Sequence, residues 1–137
     1  MKDFKQKLIA NGLKPTKHRC QIFEIFYHTQ KPLSAEEIYR QLLKSGQSIN
    51  LSTVYRTLDA LKNSDIIRSL NFEGNDKTLY ELKQRHTHYL MCLGCKKMQP
   101  VMYCPLDNLE QLSRQKNFEI TEHRLDIYGY CQECKAK

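Results

Sequence analysis

The sequence lacks the features of membrane and secreted proteins. No apolar run approaches the roughly 20 residues that a membrane-spanning helix needs. Residues 1–12, MKDFKQKLIANG, contain no apolar core followed by a small-residue cleavage site, as a secretory signal would. There is also no clear repeat and no low-complexity segment. From its 137 residues we therefore expect a soluble, cytoplasmic protein with one domain or two small ones.

Positive charge is concentrated in the first part of the chain. Residues 1–83 contain 14 Lys and Arg against 9 Asp and Glu, whereas residues 84–137 contain 8 against 6. An ordinary solvated surface would account for this excess. A polyanionic partner such as DNA is the alternative, and the motifs below favour it.

The first sixty or so residues have the periodicity of helices. Ser34 and Glu37 form a capping box that predicts a helix beginning after Ser34. Ser52 is predicted to cap a later helix, whose apolar stripe comprises Val54, Leu58 and Leu61. Two capped helices joined by a short connection are typical of a helix-turn-helix.

A two-residue period follows these helices. IIRSLNF at 66–72 and TLYEL at 78–82 are separated by EGNDK, which predicts a β-hairpin. Helices followed by such a hairpin indicate a winged helix-turn-helix domain, which we place at residues 1–83.

An outward-facing arginine on the Ser52 helix favours contact with nucleic acid. Arg56 is predicted to lie opposite the apolar stripe, next to Tyr55. Arginine can recognise guanine or bind phosphate, and basic residues before the second helix can add phosphate contacts. The candidate DNA-binding residues are Lys14, Arg19, Ser52, Thr53, Tyr55 and Arg56.

Residues 84–137 alternate strands with one helix, which predicts a small α/β domain. HYLMC and KMQPVMY are predicted as strands, PLDNLEQLSRQ as a helix that begins at Pro105, and FEITEHRLDIYGYC as a strand. The fold class of the whole chain is therefore α+β.

Four of the six cysteines form two C-x-x-C pairs, Cys92/Cys95 and Cys131/Cys134. Each pair supplies two thiolates from one tight turn, and four thiolates complete the tetrahedral shell of zinc. Such a closed site is structural and contributes to folding. A pair of redox dithiols is the alternative, and the bracketing of one small domain favours zinc.

His86 and His88 are two positions apart and would share one face of a strand. The cysteine quartet is complete without them, so a second metal would need other ligands, with His123, Asp107 and Glu110 as candidates. Nitrogen and carboxylate ligands suit Zn²⁺, Fe²⁺ or Mn²⁺, and the spacing does not distinguish these ions.

Cys20 is interpreted as a small buried residue. Cys104 is a weak candidate ligand for which packing is favoured.

Motifs along nearly the whole chain resemble the ferric-uptake-regulator (Fur) family of bacterial metal-responsive repressors. They include GLKPTKHR, LSAEEIYRQL, NLSTVYRTLDAL, NFEGNDKTLYEL, HTHYLMCLGCKKM and HRLDIYGYCQEC. The resemblance implies a winged-helix DNA-binding domain, a hinge, and a C-terminal dimerisation domain (residues 84–137) with structural zinc.

The resemblance also implies a role for individual residues. The structural zinc ligands are Cys92, Cys95, Cys131 and Cys134. The regulatory metal ligands are His86, His88, Asp107 and His123, where the family has Glu in place of Asp107. Tyr55 and Arg56 match recognition-helix contacts, and Lys14 matches a minor-groove lysine.

A further metal site of many family members is incomplete in this sequence. Glu81 is retained, but Pro32, Thr87 and Tyr89 occupy positions where those members have His. Peroxide sensing, which uses these positions, is therefore not expected. YCPLD at 103–107 resembles the zinc-uptake-regulator (Zur) branch, so we favour Zn²⁺ over Fe²⁺ or Mn²⁺ as the regulatory ion.

The expected function is a metal-dependent repressor that binds operator DNA as a homodimer and controls zinc or iron uptake genes. Two alternatives stay open at this point. One is a constitutive DNA-binding protein whose zinc is only structural. The other is a small zinc hydrolase, which would need an open coordination position and a substrate cleft. We do not expect an enzyme.

Overall fold

The computed structural model describes residues 3–84, 87–101 and 103–136. The chain divides into two compact units, residues 1–85 and 86–137. None of the described helices combines the length and apolar character that a membrane crossing requires.

The first unit contains four helices and a three-stranded sheet. The elements are α1 Phe4–Ala10, α2 Lys17–His28, β1 Leu33–Ser34, α3 Ala35–Lys44, α4 Leu51–Asn63, β2 Ile67–Leu70 and β3 Leu79–Leu82. The sheet has the order β1-β3-β2, and both pairings are antiparallel. Helices α3 and α4 followed by the β2–β3 hairpin form the winged helix-turn-helix that the sequence predicts.

One apolar core holds this unit together. Apolar side chains of all four helices meet the inner face of the sheet, among them Leu8, Ile22, Phe26, Ile38, Leu58 and Ile67. The stripe predicted on α4 is buried, with Val54, Leu58 and Leu61 each 0% exposed. The opposite face of α4 is thereby left at the surface.

Side chains cap the helices of the first unit, as the sequence predicts for α3. The Ser34 hydroxyl accepts from the backbone N–H of Glu37, and the Glu37 carboxylate accepts from the Ser34 N–H, both at 3.2 Å. The predicted cap of α4 is wrong. Asn50 rather than Ser52 is the N-cap, and its side chain accepts from the Thr53 N–H at 2.8 Å. Asparagine is as effective a cap as serine.

The second unit contains a three-stranded sheet and two helices. Its elements are β4 His88–Cys92, β5 Met98–Val101, α5 Leu109–Lys116, β6 Asp126–Gly129 and α6 Gln132–Lys135. The order is β5-β4-β6, in which β4 pairs antiparallel with β5 and parallel with β6. Strand β4 is therefore central and brings both of its ends close to residues from other elements.

Several boundaries in the second unit differ from those predicted. Helix α5 begins at Leu109 rather than Pro105, because Asp107 and Asn108 favour turns and caps over helix interiors. The last strand comprises only Asp126–Gly129, which pair with Tyr89–Cys92 of β4. The two-residue strand β1 was not predicted, because it is too short to show a period.

Candidate functional site

The four cysteines of the two C-x-x-C pairs meet at one point in the second unit. All four Sγ atoms lie within 4.8 Å of one another. The Cys95 and Cys131 Sγ atoms are 3.8 Å apart. A tetrahedral zinc with Zn–S bonds of about 2.3 Å separates its sulfurs by roughly this distance. The spacing fits four thiolates around one ion and is too long for a disulfide.

The backbone shapes the turn that carries the first pair. The Cys92 carbonyl accepts from the Lys96 N–H at 2.9 Å, and the Lys97 carbonyl accepts from the Cys92 N–H at 3.0 Å. Lys96 takes a left-handed conformation with φ 66°. The second pair begins at Cys131, which is the N-cap of α6. The Cys131 carbonyl accepts from the Lys135 N–H at 2.8 Å.

Hydrogen bonds shift the pKa values of Cys92 and Cys134 in opposite directions. Backbone N–H groups of Cys131 and Cys95 donate to the Cys92 Sγ at 3.4 and 3.5 Å and lower the pKa of Cys92 to about 5. Hydrogen bonds to the sulfurs of Cys131 and Cys92 raise the pKa of Cys134 to about 12. Four thiolates this close repel one another without a cation, so the donor set fits a bound Zn²⁺.

Gly94 lets the two pairs approach. A Cβ atom at this position would lie 2.8 Å from the Cys134 Sγ and 2.9 Å from the Cys134 Cβ. These distances are shorter than real carbon contacts permit. Only glycine therefore fits between the two cysteine pairs without displacing Cys134.

A second group of ligand atoms lies at the other end of β4. It comprises His88, Cys104 and His123, whose ligand atoms are all within 4.8 Å of one another. His88 is the first residue of β4 and is buried, whereas the other two are half-buried in loops. The His88 and His123 Nε2 atoms are 3.2 Å apart, and the Cys104 Sγ is 3.3 Å from the His123 Nε2.

This group contains only part of the predicted regulatory site. His88 and His123 are brought together as expected. Asp107 is exposed, and its carboxylate is not among the ligand atoms of this group. His86 lies outside the described residues. Cys104, which the sequence analysis favoured as a packing residue, lies beside the two histidines instead. The only sequence signal for this role was that cysteine is a residue type that binds metals.

Glu81 is engaged with an arginine. Its carboxylate is completely buried on β3, where the Arg68 Nε and Nη2 atoms donate to Oε1 at 2.9 and 2.6 Å. A carboxylate paired in this way is less available as a metal ligand. The interpretation that the further site of many family members is incomplete here stays a prediction.

The candidate DNA contacts lie on the exposed parts of α4 and around the start of α2. Arg56 is exposed, and its Nη2 donates to the Thr53 Oγ1 at 3.1 Å, while Thr53 donates to Asn50 at 2.9 Å. Asn50, which the sequence analysis did not single out, therefore holds Thr53 directly and Arg56 through Thr53. Ser52, one position after the start of α4, is exposed.

Two other candidates have partners within the first unit. The Tyr55 hydroxyl donates to Glu36 of α3 at 2.8 Å, which raises the pKa of Tyr55 and lowers that of Glu36. Arg19 donates to the backbone carbonyl of Lys14 at 3.1 Å, and the Lys14 side chain is exposed. The structure leaves cations from two helical regions at the surface.

Comparison with known proteins assigns the family. The model of the ferric uptake regulator family matches residues 10–128. The chain belongs to the ferric uptake regulator family.

Relatives cover nearly the whole chain. The ferric uptake regulation protein of Cupriavidus metallidurans is 37% identical over 123 residues, 88% of this chain and 85% of that protein. The crystal structure of the Vibrio cholerae ferric uptake regulator superposes with a TM-score of 0.76 at 34% identity, covering 94% of this chain and 100% of the other. The structure of the Francisella tularensis ferric uptake regulator with iron superposes with a TM-score of 0.72 at 29% identity, covering 98% of each chain.

Family membership confirms the α+β winged-helix fold class and the prediction that the chain is not an enzyme. The protein is a metal-dependent transcriptional regulator of a family whose members bind DNA and act as dimers. The hydrolase alternative is therefore excluded.

Substitution of Gly94 tests the geometry of the cysteine quartet. We expect Gly94→Ala to lower the chelator concentration that releases zinc about tenfold or more relative to the unsubstituted protein. The reason is that the added methyl group displaces Cys134. Zinc release is measured with a chromogenic chelator. Gly129→Ala is the matched control, since a Cβ there meets nothing within 4 Å. Equal zinc retention by both variants would contradict the proposed ligand set.

Proposed function

We propose that this protein is a dimeric repressor that binds operator DNA when a second divalent ion is bound at His88 and His123, and thereby controls genes of metal-ion uptake. Residues 1–83 serve as the DNA-binding domain and residues 84–137 as the metal-binding dimerisation domain. The observation that carries the proposal is the presence of two separate groups of ligand atoms at the two ends of β4. Membership of a family of metal-dependent regulators supports it.

The two groups suit different roles. The quartet Cys92, Cys95, Cys131 and Cys134 fills all four positions of a tetrahedral ion, so its zinc is structural and is retained. The histidine group provides fewer protein ligands among the described residues, and its ion exchanges more readily. Occupancy of this second site therefore reports the concentration of available metal.

The position of His88 links metal binding to DNA binding. His88 opens β4 six positions after Leu82, the last residue of the hairpin that follows the recognition helix. Ligation holds His88 against His123 and restricts the chain that leads from the winged helix. In a dimer, this restriction sets the spacing of the two recognition helices for half-sites about 34 Å apart. The metal-free protein samples more arrangements and binds operator weakly.

The second ion belongs to the group Zn²⁺, Fe²⁺ and Mn²⁺. The names of the Cupriavidus and Francisella relatives point to iron, whereas the stretch Tyr103–Asp107 favours zinc.

A regulator of transcription acts at the chromosome, so we propose a cytoplasmic location. A constitutive DNA-binding protein with only structural zinc is the remaining alternative.

Replacement of His123 tests the metal dependence. Metal is expected to increase the operator affinity of the unsubstituted protein about 5- to 150-fold, the range of typical allosteric coupling. We expect His123→Ala to abolish this increase while the protein keeps one zinc per protomer in the quartet. The measurement is a fluorescence-anisotropy titration of operator DNA with and without added metal.

His28→Ala is the control for that experiment, because His28 ends α2 at the surface and its imidazole lies 3.9 Å from the Glu24 carboxylate of the same helix. It should respond to metal like the unsubstituted protein. If the unsubstituted protein binds operator equally with and without the second ion, the constitutive alternative is correct and the proposed switch is wrong.

Arg56 on α4 tests the DNA-contact surface. We expect Arg56→Ala to weaken operator binding by about 1–3 kcal/mol, because an exposed guanidinium on the recognition helix is lost. Zinc content and the unfolding transition should stay unchanged. Arg114→Ala removes the same charge from an exposed position on α5 and should have little effect. Equal losses in both variants would indicate a general effect of charge and contradict a specific role of Arg56.

A further inference from the structure

The ligand atoms around His88 have the separations of a metal site that includes sulfur. The two Nε2 atoms are 3.2 Å apart, and the Cys104 Sγ is 3.3 Å from the His123 Nε2. In a tetrahedral zinc site with bonds of about 2.0–2.1 Å to nitrogen and 2.3 Å to sulfur, such pairs are separated by roughly 3.3 and 3.5 Å. The three side chains therefore need little movement to bind one ion.

The facing histidine nitrogens are placed so that both could bind one cation. A neutral imidazole carries one N–H, so two Nε2 atoms this close can form at most one hydrogen bond between them, and two protonated rings would repel each other. A bound cation accepts electron pairs from both nitrogens at once. The ring centroids are 5.0 Å apart with planes at 37°, so the rings do not stack in parallel and their edges converge.

Cys104 is held at this point by its loop. It lies between β5 and α5, and its Sγ is 3.5 Å from the carbonyl oxygen of Leu106. The carboxylate of Asp107 is in the exposed part of the same loop. The chain thus presents a thiol to the two histidines at a site where a carboxylate was expected. Cys104 belongs to this group and not to the cysteine quartet.

We propose that Cys104 is a thiolate ligand of the second ion, together with His88 and His123, and that its sulfur makes this site selective for Zn²⁺ over Fe²⁺ and Mn²⁺. Thiolate is a soft ligand that favours zinc, whereas carboxylate and water favour Mn²⁺. Imidazole binds several of these ions, so the two histidines alone do not impose the preference. The inference rests on the proposed function in so far as this ion is the regulatory one.

Cobalt spectroscopy tests the sulfur ligand directly. The full-length protein with one zinc per protomer in the quartet is titrated with Co²⁺, which forms a near-ultraviolet sulfur-to-cobalt charge-transfer band only when a thiolate binds it. We expect the band in the unsubstituted protein and its loss in Cys104→Ser. Cys20→Ser is the matched control, because Cys20 is the other cysteine outside the quartet and lies on α2 in the first unit; it should keep the band.

Competition between ions tests the selectivity. Zn²⁺ and Mn²⁺ are each used to displace Co²⁺ from the second site, and the ratio of their affinities is compared between variants. We expect Cys104→Ser to lower the preference for Zn²⁺ about tenfold or more. Asp107→Asn should retain both the band and the preference.

Several results would overturn the inference. They are a missing charge-transfer band in the unsubstituted protein, a band that persists in Cys104→Ser, and an unchanged ion preference in that variant. Zinc content is measured after each titration, so that cobalt entering the quartet is recognised and excluded from the comparison.

The failure of this inference and that of the proposed function are distinguishable. If Cys104 is not a ligand, the band is absent while metal still stimulates operator binding. If the regulatory role is wrong, the band is present and depends on Cys104 while operator binding ignores the second ion.

Discussion

Strand β4 is the element on which the second unit depends. The buried residues that the structure describes in this unit all lie on β4 or directly before it: Thr87, His88, Tyr89, Met91 and Cys92. Such a small set of buried side chains provides little hydrophobic stabilisation, and small domains of this kind need metals, disulfides or oligomerisation. The cysteine quartet fits this need, because Cys92 at the end of β4 meets Cys131 and Cys134 around α6. Exposed apolar side chains such as Phe118 and Tyr130 suit the dimeric state of the family.

The same strand separates the cysteine quartet from the histidine group. His88 and Cys92 are four positions apart on β4, which corresponds to about 13 Å at the usual rise of about 3.3 Å per residue. Burial and hydrogen bonds fix both ends of β4, but the ligand sets differ. At one end four sulfurs can complete the shell of an ion, whereas at the other end the described residues offer two imidazoles and one sulfur. In our account this difference separates the retained ion from the exchangeable one. The identity of the third ligand then determines which metal the protein detects.

Local signals in the sequence predicted much of the fold. The capping box of Ser34 and Glu37 and the apolar stripe of α4 depend on residues a few positions apart, so periodicity and capping rules identify them. The quartet was also predictable, since each C-x-x-C pair has a characteristic spacing. Other features that depend on long-range packing were not predicted. Cys104 joins His123 from 19 positions away, and the length of β6 depends on its pairing with β4, which no local pattern specifies.

A stepwise removal of metal tests the central claim most directly. A chelator titration of the fully loaded protein would follow bound metal, operator affinity and far-ultraviolet circular dichroism together. Our account predicts that operator affinity falls as the first ion leaves, while circular dichroism and dimerisation persist until the zinc of the quartet is removed. Operator binding that persists until the zinc of the quartet and the fold are lost together would contradict the account.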